Sequence, residues 1–180
     1  MPRTRVDVDR AEKLAEVVGA AERQLLAGGF DSLSVAGVAR ELGVAQNAVY
    51  WYFPSRDHLL VAALERILLR ALSRGKPPHS ADPTVMAIWF VDRLGEFQPL
   101  LAGVHARARV SPTVAAFRDD VRGQLRAMFL GAIEPLVRPG ERDLTADAFI
   151  ALAEGALVQG LQRRERTRLL RFALSKLIGR

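Results

Sequence analysis

The sequence predicts an all-α protein built from two helical parts. Over its 180 residues, apolar side chains recur at intervals of three and four, which is the spacing along one face of a helix. No segment shows the alternation of apolar and polar residues that is typical of a half-buried strand. Glycines, prolines and capping residues divide the pattern into three helices within residues 1–54 and a longer helical part at 55–180, whose first helix, 55–74, connects the two.

The composition is that of an ordinary globular protein, with 49% hydrophobic and 26% charged residues. There are no cysteines, which excludes disulfides and thiolate chemistry and fits a reducing compartment. No apolar run reaches the roughly 18 residues of a membrane span, and the first ten residues contain no apolar signal region. We therefore expect a soluble, cytoplasmic protein.

The net charge of +6 is distributed unevenly. Residues 1–74 contain 10 Lys+Arg against 9 Asp+Glu, whereas residues 163–180 contain seven basic residues and one acidic residue, Glu165. Composition alone therefore does not indicate that the N-terminal part binds nucleic acid. Arg3 and Arg5 form a short basic arm before the first helix, which either lies along DNA or is a frayed terminus.

The first helix is predicted from about Asp9 to Ala27. Its apolar stripe includes Leu14, Val18 and Leu25, and Gly28-Gly29 ends it. Phe30 is expected to fill the core of the three-helix unit.

Residues 34–53 predict a helix-turn-helix. Ser34 is a suitable N-cap for the first of its helices, and Gly43 is the residue expected where that helix ends. A second short helix begins near Ala45 and runs to Phe53, with Pro54 behind it. Two short helices joined by a tight glycine turn form this motif. The residues expected to face the first helix are Ala48, Val49, Tyr52 and Phe53.

The outer face of the second short helix carries no formal charge, which is unusual for a solvated helix. Gln46 and Asn47 supply amides that can read base edges, and Tyr50 and Trp51 supply aromatic rings that can lie on the sugar-phosphate backbone. Arg56 follows in the first turn of the next helix, where a cation can reach a phosphate. These side chains favour an interface with the major groove.

At these residues the chain resembles the DNA-binding domain of the TetR family of bacterial regulators, over roughly residues 10–62. The matching motifs are Gly29-Phe30, Ser34-Val35, Val38-Ala39, Leu42-Gly43-Val44, Val49-Tyr50-Trp51-Tyr52-Phe53, Ser55-Arg56 and Leu59-Leu60. The chain departs from some family members at Ala36, where a base-reading arginine can stand, and at Pro54, where lysine is common.

The resemblance implies that Tyr50 and Arg56 bind phosphate, as do the backbone N–H and hydroxyl of Ser34. Base contacts are expected from Gln46 and Asn47, with Gln46 favoured because an amide can read adenine with two hydrogen bonds. Tyr52 faces either the DNA backbone or the core. The interface predicted in this way comprises Ser34, Val35, Ala45, Gln46, Asn47, Tyr50, Trp51, Tyr52 and Arg56.

The connecting helix is predicted from Ser55 to about Arg74, with a wide apolar face and with Arg66, Arg70 and Arg74 on a solvated face. Gly75 to Pro78 form the loop that follows. Five more helical segments are expected, and the one beginning at Asp82 should be buried on nearly all sides. The predicted segments run from Asp82 to Phe97, Pro99 to Arg109, Ser111 to Val137 with a kink at Pro135, Asp143 or Thr145 to Arg164, and Thr167 to Ile178.

The second part should hold a dimer interface, because the resemblance implies that the last two major helices of each subunit pair into a four-helix bundle. Small residues on an apolar stripe allow close helix approach, although they serve an intrachain contact equally well. The residues expected in this interface are Phe149, Ala153, Ala156 and Gly160. A two-fold dimer would place two recognition helices on successive turns of a palindromic operator.

A cavity for a small, mainly hydrophobic ligand is also expected in this part. Phe117, Gln124 and Met128 fall on one helical face, so that a polar group lies on an apolar stripe. Each polar residue could instead be an ordinary buried group with a hydrogen-bond partner, or a surface group. The residues expected at the cavity are Trp89, Arg93, Phe97, His105, Phe117, Gln124 and Met128.

These features together predict a dimeric repressor that is released from DNA when ligand binding tilts the connecting helix. One alternative is a regulator that works through a protein partner without a small ligand. Another places the basic, amphipathic C-terminal helix, 167–180, on a membrane surface. His58, His79 and His105 lack metal-ligand spacing, and no phosphate loop or nucleophile motif is present. We therefore expect no enzyme, metal or cofactor.

Overall fold

The computed structural model describes residues 5–76, 78–80 and 82–179, with side chains from residue 10 onward. The all-α prediction is confirmed, since the described residues form helices and connecting turns without a strand. Two short 3-10 helices lie at Gly95–Phe97 and Pro139–Glu141. The α-helices are α1 Arg5–Ser32, α2 Val35–Leu42, α3 Gln46–Tyr52, α4 Arg56–Ser73, α5 Pro83–Leu94, α6 Gln98–Ala108, α7 Pro112–Ile133, α8 Arg142–Val158 and α9 Arg163–Leu177.

The helix-turn-helix forms from local signals. The Ser34 hydroxyl accepts a hydrogen bond from the Gly37 N–H at 3.0 Å and so caps α2. Gly43 ends α2 with φ at 67°, a left-handed conformation that favours glycine. The backbone of α1 is broken at Gly28 and Gly29, as predicted, but helical turns continue to Ser32. The predicted start of α1 was too late, because the helix already includes Arg5.

The first hydrophobic core continues across the predicted boundary at residue 54. It is built on α4, which packs mainly against α1 and whose Leu59, Leu60 and Leu64 are fully buried. The same cluster extends through α6 to Val104 and into α7 at Phe117. The base of the helix-turn-helix and part of the second half of the chain therefore share one core.

The arginines of α4 are not a simple solvated face, which corrects the sequence prediction. Glu22 of α1 is only 4% exposed, and its carboxylate pairs with Arg66 at 3.0 Å and Arg70 at 2.6 Å. Arg74 pairs with Glu96 at 2.7 Å. A buried carboxylate needs such partners because burial penalises an isolated charge. These pairs fix α4 to α1 and to the turn after α5.

The second hydrophobic core lies between α5, α7, α8 and α9. Phe129 of α7 stacks on Phe149 of α8 with 4.2 Å between ring centroids. Arg166 of α9 is buried and donates to Asp92 of α5 at 3.0 Å. The prediction that α5 is buried on nearly all sides was wrong, since Val85 is 37% exposed and Trp89 is half-buried.

Three predicted helix boundaries in this half were also wrong. Helix α7 ends at Ile133, so Pro135 lies beyond the helix and produces no kink. Helix α8 begins at Arg142, and neither Asp143 nor Thr145 caps it. Helix α9 begins at Arg163, where Gln162 and Glu165 form a capping box. Within the described ranges, none of the helices is both long enough and apolar enough to cross a bilayer.

Candidate nucleic-acid interface and cavity

Helix α3 presents a continuous polar and aromatic surface. Val49 is fully buried and anchors the helix to the first core. Gln46 and Asn47 are exposed, as predicted, and Tyr50 and Trp51 are 45% and 65% exposed. Ala45 and Ala48 are exposed as well, so the prediction that Ala48 faces α2 was wrong. The exposed groups on α3 are therefore amides, aromatic rings and small side chains.

Arg10 belongs to this surface and was missed by the sequence prediction. Its guanidinium carbon lies 4.8 Å from the centroid of the Trp51 ring, within the range of a cation–π contact. Trp51 also packs edge-on against Tyr52 at 4.9 Å, and Tyr52 is half-buried. Arg3 and the side chain of Arg5 lie outside the described residues. Arg10 thus brings a positive charge beside an otherwise uncharged helix face.

Ser34 and Val35 lie at the beginning of α2, where both make contacts within the protein. The Ser34 N–H donates to the Gln24 Oε1 at 3.2 Å, and its hydroxyl caps α2. The Val35 side chain is only 6% exposed and packs in the first core. Any contact of Val35 with DNA would therefore be made by its backbone N–H at the beginning of α2.

Arg56 holds the loop between α1 and α2. Its Nε donates to the Leu33 carbonyl at 2.8 Å, and its Nη2 donates to the Phe30 carbonyl. The side chain is half-buried. Arg56 therefore positions the loop that leads to α2, and three of its five N–H donors remain for other contacts.

The second half of the chain encloses a cavity of about 290 Å³. Phe90 and Leu94 of α5 line it, as do Leu101 of α6 and Leu125 of α7. Four of the predicted residues also line the cavity, namely Phe97, His105, Phe117 and Met128. The lining side chains are almost all apolar, as expected for a small-molecule site.

Trp89, Arg93 and Gln124 do not line the cavity, which corrects three of the predicted positions. The cavity-facing residues of α7 recur as Phe117, Val121, Leu125, Met128 and Ala132, and Gln124 lies just beyond one side of that stripe. Gln124 is exposed and donates to Asp120 at 2.8 Å. Trp89 and Arg93 flank the cavity side of α5, and Arg93 pairs with Glu96 at 3.5 Å.

One end of the cavity is polar. The Glu154 carboxylate of α8 lies 3.1 Å from the His105 Nε2 of α6 and 2.6 Å from the Arg122 Nη1 of α7. Arg118, one turn before Arg122, lines the cavity too. Sequence reasoning identified only His105 here. Arg118 and Arg122 of α7 and Glu154 of α8 were not predicted. They come from two different helices, and in the sequence each looks like an ordinary solvated residue.

Helix α6 contacts both the cavity and the DNA-binding core. Its Leu101 and His105 line the cavity. On its other side, a Cβ atom on Gly103 would lie 2.5 Å from the Phe30 ring, so glycine permits the close approach of α6 to the end of α1.

Arg107 of α6 also binds Asp57, at the start of α4, through two hydrogen bonds of 2.9 and 2.8 Å. Hydrogen bonding to Arg107 lowers the pKa of the Asp57 carboxyl, with a further contribution from Ser111. One short helix therefore joins α1 and α4 to the cavity wall.

Three of the four residues predicted for a dimer interface are not on the surface, and the fourth, Gly160, is exposed. Phe149, Ala153 and Ala156 are buried in the second core, at 2%, 6% and 3% exposure. Gly160 lies in the turn after α8 with φ at 73°. The outward face of α8 instead carries a stripe at intervals of four and three, formed by Leu144, Ala148, Ala151, Gly155 and Val158. Leu144 is 74% exposed and Val158 is 42% exposed.

The apolar side of α9 packs into the second core, where Leu170, Leu174 and Ile178 are buried. Binding to a membrane surface would require these apolar side chains to be exposed. The structure therefore disfavours the alternative in which the C-terminal helix lies on a membrane. The outer face of α9 carries Arg164, Arg168 and Phe172, all exposed.

A profile described as "Bacterial regulatory proteins, tetR family" matches residues 17–63. The HTH-type transcriptional repressor KstR of Rhodococcus jostii is 33% identical over 111 residues, which are 59% of this chain and 52% of that protein. The chain thus spans about half the length of the curated relatives it matches.

Two solved structures share the fold. A transcriptional regulator from Rhodococcus sp. Rha1 superposes with a TM-score of 0.72 at 22% identity, covering 92% of this chain and 94% of that one. The structure of BioQ with its double-stranded DNA operator superposes with a TM-score of 0.70 at 22% identity, covering 93% and 98%.

Proposed function

Because the chain belongs to the TetR family of bacterial regulatory proteins, we propose that it represses transcription by binding a specific DNA sequence through α3. Members of this family are DNA-binding regulators and not enzymes, in agreement with the sequence prediction. The observation that carries the proposal is the exposed, uncharged face of α3 with Gln46, Asn47, Tyr50 and Trp51. We place this activity in the cytoplasm.

In this proposal Gln46 and Asn47 read bases, while Tyr50, Trp51 and Arg10 lie against the phosphate backbone. Arg56 acts mainly by holding the α1–α2 loop, since two of its nitrogens already bind carbonyls. Ser34 and Val35 shape the start of α2, and the backbone N–H groups there face an anion favourably. Ala45 and Tyr52 complete the surface.

The protein is proposed to act as a homodimer through the outward face of α8. The stripe from Leu144 to Val158 is apolar and includes two alanines and a glycine, which allow helices to approach closely. A two-fold pair would place two α3 helices on a palindromic operator. Ala151→Arg should give a monomer in sedimentation velocity, whereas Ala127→Arg, an exposed change on α7, should leave the dimer intact.

A small hydrophobic ligand in the cavity is proposed to weaken DNA binding. Helix α6 supports this coupling, because it lines the cavity and also contacts Phe30 and Asp57. A ligand that shifts α6 would move the start of α4 and change the spacing of the two α3 helices. Ligand and DNA would then oppose each other with a coupling free energy of about 1–3 kcal/mol.

The test is selection of bound duplexes from a random DNA pool at near-physiological salt, which suppresses binding through phosphates alone. An enriched near-palindrome is expected. Gln46→Ala should reduce the preference for a particular base at one position of the enriched sequence. Gln124→Ala, at an exposed position on α7, should leave the enriched sequence unchanged. Failure to enrich any sequence with a folded dimer would contradict sequence-specific repression by the protein alone, and would favour a regulator that needs a protein partner.

A further inference from the structure

The cavity is charged at one end only among the described residues, and we propose that it binds a medium-chain carboxylate. This rests on the proposed function, in which the cavity is the effector site. The apolar length of the cavity is formed by phenylalanine, leucine, valine and methionine side chains of α5 to α8. A ligand that matches this arrangement has an apolar body and a single polar head.

The charge at the polar end favours an anionic head. Arg118 and Arg122 of α7 line it, against the one carboxylate of Glu154 from α8. Asp119, which binds Arg118 at 2.8 Å, is 61% exposed and does not line the cavity. The lining therefore carries two guanidinium groups and one carboxylate. A cationic head would be repelled by the two guanidinium groups, and a neutral head would form weaker hydrogen bonds with them than an anionic head, because only one partner would be charged.

Glu154 occupies the position that a ligand carboxylate would need. It joins His105 and Arg122 at 3.1 and 2.6 Å, and all three side chains are partly exposed at 25–46%. A guanidinium has five N–H donors, and the bond from Nη1 to Glu154 uses one of them. A second carboxylate can therefore bind Arg122 beside Glu154 or replace it.

The size of the cavity limits the length of the ligand. A volume of about 290 Å³ lies at the low end of small-molecule sites. This size favours a small ligand, such as a saturated chain of about ten carbons whose carboxylate lies at the polar end. Decanoate is therefore a suitable probe.

The experiment compares three probes with one chain length, namely decanoate, decan-1-ol and decyltrimethylammonium, below their micellar concentrations. Isothermal titration calorimetry measures their binding to the full chain without DNA. Decanoate should bind about tenfold more tightly than decan-1-ol, the size expected of one charge-assisted contact at a partly exposed site. Decyltrimethylammonium should bind most weakly.

Two substitutions test the role of the polar end with opposite signs. Glu154→Gln removes the competing carboxylate and should tighten decanoate binding several-fold, whereas Arg122→Gln should weaken it about tenfold. Both should change the affinity for decan-1-ol less than the affinity for decanoate, since the hydroxyl carries no charge and forms only hydrogen bonds at the polar end. Arg126→Gln is the matched control, because Arg126 lies one turn further along α7 and pairs with Asp143 and Asp147 on the surface.

The outcomes separate this proposal from the proposed function. Tighter binding of decyltrimethylammonium than decanoate, weaker decanoate binding by the Glu154→Gln variant, or no binding of any probe would overturn the carboxylate assignment. None of these results affects the selection of an operator. Decanoate binding that leaves DNA affinity unchanged would instead contradict ligand-controlled repression, while the carboxylate site would stand.

Discussion

Two regions of the molecule differ in how completely they are filled, namely the part of the first core around α4 and the cavity where the two cores meet. In the first core, Leu59, Leu60 and Leu64 of α4 are fully buried in the cluster that also contains Val49 of the helix-turn-helix. The cavity of about 290 Å³ lies between α5, α6, α7 and α8, and both cores border it, since Phe117 belongs to the first and Phe129 to the second. Tight packing keeps a recognition surface rigid, whereas a cavity lacks packing contacts and leaves its walls free to adapt. The chain thus combines a rigid reading surface with an adaptable binding region.

The largest expected contrast comes from one substitution in the filled part of the first core and one at the cavity wall. Leu64→Ala should lower the free energy of unfolding by about 3 kcal/mol, because it opens a void in a filled core. Leu125→Ala borders existing space and is half-buried, so it should cost only about 1 kcal/mol. Urea unfolding of both variants measures the difference. Equal losses would mean that the cavity is collapsed in solution.

A smaller effect is expected where α6 approaches the first core. Gly103→Ala places a Cβ atom 2.5 Å from the Phe30 ring and should cost about 2 kcal/mol through overpacking. Gly123→Ala is the control, since Gly123 is an exposed position on α7 and an added Cβ would meet no atom within 4 Å. That change should stabilise the helix by up to about 1 kcal/mol. Thermal unfolding in which both variants lose the same stability would contradict close α6–α1 packing.

The two regions also differ in how well the sequence predicts them. The helix-turn-helix is short and bounded by strong local signals, so Ser34, Gly43 and Ser55 placed its helices to within one or two residues. In α8 the predicted stripe of Phe149, Ala153 and Ala156 was apolar, but a small apolar residue suits an internal contact and a subunit interface equally well. Which face of α8 is internal depends on how α7 and α9 pack against it, and the sequence of α8 does not show this.

The sequence predicted a mainly apolar cavity, but it did not predict the cluster of charged residues at one end of that cavity. Phe97, Phe117 and Met128 follow helical periodicity, which sequence shows directly. The contact of His105 with Glu154 and Arg122 depends on the packing of three helices. Arg66 and Arg70 looked like solvated residues for the same reason, since their partner Glu22 is far away in sequence.

The ion pair between α4 and α6 should add a smaller, pH-dependent contribution. Asp57→Asn should lower stability by about 1 kcal/mol at neutral pH, because Arg107 is partly exposed and solvent weakens the pair. The pKa of Asp57 is lowered in the folded chain, so its contribution is present above the ordinary value of 3.8 and disappears as pH falls through the lowered pKa. Urea unfolding at pH 7 and pH 3 should show wild type and variant converging at the lower pH. A pH-independent difference would contradict this origin.

The smallest effect on stability should come from Arg10→Gln, although its effect on DNA binding should be larger. Arg10 is exposed and contacts Trp51 only through a cation–π interaction, so its loss should change the free energy of unfolding by less than about 0.5 kcal/mol. A phosphate contact, by contrast, contributes to binding of any DNA sequence and to its salt dependence. Fluorescence anisotropy should therefore show weaker binding to operator and random DNA alike, with a salt slope reduced by about one. Lys13→Gln is the control, since Lys13 already pairs with Glu16 at 2.8 Å. If Arg10→Gln alters the choice of sequence and leaves the salt slope unchanged, Arg10 contacts bases, and the reading surface extends from α3 onto α1.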